Sequence, residues 1–216
     1  MNKIYRDYTK RILDIFISVI VMVLFFWLYA IIAILIKIKL GSPVIFKQER
    51  VGKNEKKFML YKFRSMTNKK DKDGELLPDC VRLTKFGKVL RASSLDELPE
   101  MFNILKGEMS LIGPRPLTCD YLEYYNEIER HRHDVVPGLT GWAQVNGRTA
   151  IGWEDRFKYD VEYVENLSFI LDLRIFFLTI KKVIVHEGIV EAGKQGNFDD
   201  FRKKQWSQVN EQGDRQ

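Results

Sequence analysis

Residues 15–36 read IFISVIVMVLFFWLYAIIAILI, 22 positions in which only Ser18 is neither apolar nor tyrosine. As one straight helix rising 1.5 Å per residue, the run would be about 33 Å long, close to the hydrocarbon thickness of a bilayer. It is too long for a signal-peptide core, and no small-residue cleavage site follows it. A helix buried in a soluble core is seldom apolar on every face over this length. The stretch therefore reads as a membrane anchor.

Both flanks of the run are basic. Lys3, Arg6, Lys10 and Arg11 precede it; Lys37, Lys39, Lys47, Arg50, Lys53, Lys56 and Lys57 follow it. Residues 1–64 hold 13 Lys and Arg against 4 Asp and Glu, and residues 65–216 hold 22 against 25, so the formal charge of +6 belongs to the N-terminal third. Positive residues mark the cytoplasmic side of a membrane. A straight span satisfies one flank, whereas a hairpin that enters one leaflet and returns satisfies both. Anionic headgroups add roughly 1 kcal/mol per basic residue. Asp14, costly if left alone near lipid, is expected to pair with Arg11 or Lys10. Charge gathered around an apolar run, with an acidic remainder, speaks against a nucleic-acid binder.

The chain of 216 residues is 45% hydrophobic and 30% charged, which excludes wholesale disorder. Its 14 Gly, 6 Pro and 2 Cys exclude collagen-like and disulfide-framework folds. Cys80 and Cys119 follow no metal spacing and are expected as reduced thiols facing a cytosol-like compartment. Strands are predicted at 44–46 and 58–63 around a turn at 51–54, and a charged, mobile loop at 67–79. Helices are predicted at 102–105, ending at Gly107, and at 121–130, 153–164 and 172–186. The last carries an apolar stripe, Leu173, Phe176, Phe177, Ile180, Val183 and Ile184. A core-facing helix is the ordinary explanation of it, and a helix lying in the membrane interface the alternative. The expected architecture is mostly α with a small β-hairpin or sheet. An N-terminal re-entrant or spanning membrane helix (residues 1–39) and interfacial amphipathic helices surround a compact cytosolic catalytic core (40–192), followed by a flexible tail (193–216).

Three segments carry candidate chemistry. In RASSLDELPE, residues 91–100, Ser94 and Glu97 fit a helix capping box. Pro99 limits the register, because proline is tolerated only in a first turn. Asp96 and Glu97 are then held near the positive end of a helix, where a phosphate also sits well; two adjacent carboxylates suit a nucleophile and a Mg²⁺ ligand. In Gly113-Pro114-Arg115-Pro116 two prolines fix the backbone around one arginine, a residue suited to bidentate phosphate recognition. In PGLTGWAQVNGR, residues 137–148, three glycines permit close backbone approach, and Gln144, Asn146 and Arg148 offer polar recognition. Neither Walker lysine nor dinucleotide glycine patterns occur. His131-x-His133 lacks an obvious third metal ligand.

Taken in order and at their spacings, these segments resemble the bacterial sugar transferase family, in its small monotopic phosphoglycosyl transferase form. The resemblance runs over residues 10–188. It rests on Lys10-Arg11-x-x-Asp14, Phe46-x-Gln48-x-Arg50-x-Gly52, Tyr61-Lys62-Phe63-Arg64-Ser65-Met66, Ser94-Leu95-Asp96-Glu97-Leu98-Pro99, Phe102-Asn103-x-Leu105-x-Gly107-x-Met109-Ser110, Gly113-Pro114-Arg115-Pro116, and the 137–148 segment. No large hydrophobic domain precedes the match, as in the short catalytic-core form.

The resemblance implies transfer of phospho-sugar from a UDP-sugar to a polyprenol phosphate at the cytoplasmic face of a bacterial inner membrane, releasing UMP. Asp96 matches the family's nucleophile, which forms a covalent aspartyl-phosphosugar. Glu97 matches the carboxylate that holds Mg²⁺, and Arg115 the phosphate-binding arginine. Lys62, Arg91, Arg148 and Asp160 fall at polar active-site positions. The likeness of the C-terminal region leans toward an N-acetylated sugar. Later glycosyltransferases are implied as partners. Small members break the membrane helix with Ser-Pro near its middle; here the aligned positions are Phe26 and Trp27, and Ser42-Pro43 lies beyond the run. The basic flanks still favour re-entry.

Two rival readings are open. A membrane-anchored phosphohydrolase using an aspartyl-phosphate needs a second Asp nearby, commonly D-x-D, whereas Glu97-Leu98 follows Asp96. The other is a non-catalytic adaptor of glycan assembly.

Overall fold

The computed structural model describes residues 3–147, 151–185 and 196–213. After a π-helical turn at Tyr5–Thr9, the apolar run forms two helices, α1 (Lys10–Leu24) and α2 (Phe26–Lys39), bent by 64° at Phe25. Among the described residues no single helix is long and apolar enough to cross a membrane. A hairpin follows, β1 (Ile45–Val51) antiparallel to β2 (Lys57–Phe63). Next come α3 (Asp79–Arg82), α4 (Lys85–Ala92), a 3-10 turn at Leu95–Glu97 and α5 (Glu100–Lys106). Strand β3 (Ser110–Ile112) leads to α6 (Glu127–Arg130), β4 (Gly138–Thr140) and α7 (Trp142–Asn146). Three longer helices complete the chain: α8 (Trp153–Glu165), α9 (Phe169–Val185) and α10 (Phe198–Gly213).

The bend in the apolar run needs no proline. Leu28 and Tyr29 direct their amides to the Phe25 carbonyl, at 2.8 and 3.1 Å, and the indole N–H of Trp27 donates to the Leu24 carbonyl at 2.9 Å. The break thus keeps a carbonyl satisfied by a side chain where a helix ladder would have used a backbone amide. Each half is docked independently. Val21 and Met22 of α1 pack on Phe58, Met101 and Ile104, while Ile32 and Ile36 of α2 pack with Phe63 and Leu90.

Helix α1 has polar groups inward and apolar groups outward. Asp14 and Ser18 are buried, whereas Ile12, Phe16 and Val23 are more than 60% exposed. Asp14 accepts from the Leu111 amide of β3 at 2.9 Å rather than pairing with Arg11. Arg11 instead donates to the Ile104 and Leu105 carbonyls, capping the C-terminus of α5. Lys10 Nζ meets Asp172 Oδ2 of α9 at 2.5 Å.

Three sequence expectations are corrected. The stripe on α9 does not face the core: Leu173, Phe176, Phe177 and Ile180 are exposed, and Asp172 and Ile175 face inward. Residues 121–130 are not one helix, because Asn126 caps a new one; its side chain accepts from Glu129 N while Glu129 bonds back to Asn126 N. The 193–216 tail contains α10, anchored by fully buried Phe198 and by Arg202, which grips Glu129 at 2.5 and 2.6 Å. The 67–79 loop folds on itself locally, with Asp71 Oδ1 accepting from the Asp73 and Glu75 amides, both at 2.9 Å. The sequence pattern does not announce the parallel β3–β4 pair. That pair explains two of the three 137–148 glycines: a Cβ at Gly138 would meet Gly113 N at 2.0 Å, and one at Gly141 would meet Gly113 O at 2.1 Å.

Candidate active site

The Asp96–Glu97 turn sits at the meeting of the hairpin, α4, α5 and the loop after β3. Ser94 adopts a left-handed backbone (φ 56°) and makes no cap hydrogen bond, so the capping-box reading fails. Helix α5 starts only at Glu100, behind Pro99. That geometry frees the Glu97 carboxylate from capping. Its Oε1 instead receives Lys62 Nζ of β2 at 2.6 Å and Arg115 Nη2 at 2.7 Å. Lys62 also lies 3.1 Å from Glu100 Oε1. Arg91 of α4, its Nε 2.8 Å from Ser65 Oγ, adds positive field at Asp96.

Electrostatics separate the carboxylates. Burial and then the Glu97 charge raise Asp96 from 3.8 to about 6, against the pull of Lys62, Arg91 and Arg115. Burial works against the Glu97 charge too, but Arg115 and Lys62 outweigh it and hold Glu97 well below the usual carboxylate range. Glu100, almost fully buried, is pushed up by burial and by Glu97. The turn therefore offers one carboxylate that stays ionised, Glu97, next to one whose basicity is raised, Asp96.

Arg115 is fixed from behind. The Gly138 amide donates to the Pro114 carbonyl at 2.9 Å, and Arg132 Nη2 to the Arg115 carbonyl at 2.7 Å. Arg132 is itself clamped to Asp160 Oδ2 by Nε at 3.1 Å and Nη2 at 2.8 Å, with Tyr125 Oη 3.3 Å from Nη1. Asp160 is thus not beside Asp96; it is a buried brace one layer behind Arg115. Arg148 lies outside the described residues. Gln144 and Asn146 bond to the Leu139 and Trp142 carbonyls of their own segment.

Sequence reasoning missed Glu100 and Arg132. Glu100 follows Glu97 by three residues, a spacing that places both toward one lysine. Arg132 carries no local signal, since its partner is 28 residues away.

An apolar cavity of about 450 Å³ opens from this site. It runs between α1 and α9, past Leu13, Ile17, Leu111 and Phe176, with Glu97 in its wall and Lys10 and Lys182 among its few cations.

Among the described residues no group of three or more His, Cys, Asp and Glu side chains is assembled for a metal, and His131 and His133 do not form one. Mg²⁺ ordinarily takes one or two protein carboxylates and completes its shell with water and substrate phosphate. Glu97 Oε2, unengaged among the described residues, and the adjacent Asp96 fit such a donor set.

Paired carboxylates with opposed proton affinities, a cation clamp and an apolar cavity define a site suited to phosphoryl transfer beside a lipid-like substrate. The chain belongs to the bacterial sugar transferase family, whose model matches residues 5–186. It is 57% identical over 157 residues, 73% of this chain and 78% of the other, to the uncharacterized sugar transferase EpsL of Bacillus subtilis. It is 41% identical over 84% of its length to the UDP-N-acetylgalactosamine-undecaprenyl-phosphate N-acetylgalactosaminephosphotransferase of Aeromonas hydrophila. It is 40% identical over 82% of its length to the UDP-glucose:undecaprenyl-phosphate glucose-1-phosphate transferase of Klebsiella pneumoniae. The matches cover 45% and 40% of those two enzymes.

Proposed function

We propose that the chain transfers phospho-sugar from a UDP-sugar to a polyprenol phosphate, through a covalent intermediate on Asp96. The observation that carries this reading is Asp96 itself: a buried carboxylate raised to about 6, next to Glu97, which is clamped by two cations and lines an apolar cavity. Asp96 attacks the β-phosphorus; the bond from that phosphorus to the bridging oxygen breaks, and UMP leaves. The polyprenol phosphate oxygen then attacks the aspartyl-phosphosugar, restoring the Asp96 carboxylate and giving polyprenyl-diphosphate-sugar. Splitting one displacement into two is the gain of a covalent route. Arg115 and Lys62 hold Glu97 ionised throughout. Glu97, with Asp96 adjacent, is the residue that would hold Mg²⁺, which when bound neutralises charge on the diphosphate.

The cavity between α1 and α9 suits the first isoprene units of the acceptor. The outward apolar faces of α1, α2 and α9 suit the cytoplasmic leaflet of the inner membrane, entered and left on the same side. This placement rests on the 64° bend and on the basic flanks. The donor sugar is left to a screen: likeness of the C-terminal region favours an N-acetylated sugar, and the Klebsiella relative's name carries glucose.

The test is UMP release with a panel of UDP-sugars, polyprenol phosphate and Mg²⁺, joined to intact-protein mass spectrometry with donor alone. A phospho-sugar adduct mapping to Asp96 is expected. Turnover with no adduct on Asp96 overturns the covalent route. Inorganic phosphate in place of UMP favours the phosphohydrolase.

A further inference from the structure

Strand β1 presents a second arginine to the site. In the hairpin register Phe46 lies opposite Lys62, Gln48 opposite Leu60 and Arg50 opposite Phe58. Side chains alternate along a strand, so Arg50 and Gln48 share the face that carries Lys62 to Glu97. That face is inward: Phe58 and Leu60 are buried. Gln48 Oε1 accepts from Arg50 Nη2 at 2.7 Å and so orients the guanidinium. Arg50 Nε is buried with no hydrogen-bond partner, and Arg50 makes no ion pair among the described residues. The next residue, Val51, donates its amide to the Leu117 carbonyl at 3.1 Å, stitching the end of β1 to the chain two residues past Arg115.

We propose that Arg50, braced by Gln48, binds the diphosphate of the nucleotide donor together with Arg115, forming a two-arginine clamp with Lys62 on the same face. This rests on the reading of the chain as a UDP-sugar enzyme. Burial first, and then the positive charge of Arg115, weaken Arg50's hold on its proton. Two guanidinium groups brought together inside a protein are stable when an anion lies between them, and arginine forks match phosphate oxygens in pairs. Arg156 of α8, 4.3 Å from the Trp153 ring, feels the same Arg115 charge. Arg50 does not line the cavity between α1 and α9, whose cations among the described residues are Lys10 and Lys182. The clamp therefore serves the nucleotide rather than the lipid phosphate.

The experiment is calorimetric titration of the full chain in detergent with Mg²⁺, using UDP, uridine and a short prenyl phosphate as separate probes. Arg50→Gln is expected to raise the Kd for UDP about tenfold or more, the loss of a charge-assisted hydrogen bond. The Kd for prenyl phosphate and the weak binding of uridine stay unchanged. In turnover, the donor KM rises and the acceptor KM does not. Gln48→Leu, which leaves the charge and removes its brace, gives a smaller rise in UDP Kd. If Arg50→Gln fails to fold, Arg50→Lys and Gln48→Leu decide the matter by the same readout. A UDP Kd within twofold of wild type in these variants overturns the clamp, as does a selective loss of prenyl phosphate. Wild type that binds UDP but releases no UMP overturns the reaction read above and leaves the clamp standing.

Discussion

Around Glu97, three carboxylates (Asp96, Glu97, Glu100) meet two cations, Lys62 and Arg115, and the Arg115 side chain is 39% exposed. Around Arg132, one guanidinium meets one carboxylate, Asp160, both at most 2% exposed, with Tyr125 and the Arg115 carbonyl taking further donors. The two clusters are joined by Arg115, whose side chain belongs to the first and whose backbone is held by the second. The balanced, sealed cluster has its charges cancelled and its donors used, which makes it a brace. The unbalanced, open one displaces proton affinities in opposite directions, which is the signature of a reactive site. Burial of charge alone does not distinguish them; stoichiometry and access do.

The widest separation between the clusters is expected from Asp96→Asn. An amide cannot form an acyl phosphate, so UMP release should fall by about 10³-fold or more, as for removal of other nucleophiles. Stability should move the other way. Asp96 binds its proton more tightly when folded, so keeping it ionised costs stability as pH rises from about 4 to about 6, and the full cost remains above. Removing the charge should stabilise the fold by about 2–3 kcal/mol at pH 8 and by nothing below pH 4. Thermal melts across pH check this. An Asp96→Asn variant less stable than wild type at pH 8 means that the Asp96 charge is supported by its cations rather than strained by burial.

The closed cluster should respond oppositely. Arg132→Met leaves Asp160 charged and buried without its hydrogen-bonded ion-pair partner, a loss of about 3–5 kcal/mol. Pairing it with Asp160→Leu should recover most of that stability, because both ends of the ion pair are then apolar. Activity should not recover to the same degree, since the Arg115 carbonyl has still lost its 2.7 Å donor. Chemical denaturation and UMP release on the single and double variants separate the two effects. Full recovery of rate in the double variant means that Arg115 needs no support from behind.

The same contrast explains what can be read from the chain. Asp96, Glu97 and Arg115 are legible because each sits in a short segment whose prolines fix its backbone. Lys62 enters only through the family resemblance, because a lysine in an aromatic strand shows its face but not its partner. The hairpin and α8 follow from residue type and period. The Arg132–Asp160 brace is not legible: its members are 28 residues apart and a buried arginine reads like any basic residue. Strands β3 and β4 have three residues each, too few to show alternation. The α9 stripe is visible but its direction is not, because periodicity marks an apolar face without naming its solvent. Helix α10 is hidden by its Gln-rich, charged composition, although two residues, Phe198 and Arg202, dock it. The capping box at Ser94 fails because Pro99 shifts the helix start past Glu97.

The smallest expected effect is the most discriminating, because it applies one conservative change to each cluster. Arg115→Lys keeps the charge opposite Glu97 and loses the planar fork. The Arg115 side chain is partly exposed, so water can serve what lysine leaves unmet, and folding should be unaffected. The rate should fall roughly ten- to a hundred-fold, the worth of a charge-assisted hydrogen bond to a phosphate oxygen. Arg132→Lys in the sealed cluster keeps the charge equally well, yet one ammonium cannot replace a fork whose nitrogens reach Asp160, Tyr125 and the Arg115 carbonyl. Buried acceptors left without donors cost about 1–3 kcal/mol each, so that variant should be destabilised first and slowed second. Denaturation midpoints and donor kcat/KM for the two lysine variants form the comparison. If Arg115→Lys is the one that unfolds and Arg132→Lys the one that merely slows, the assignment of brace and reactive site is reversed.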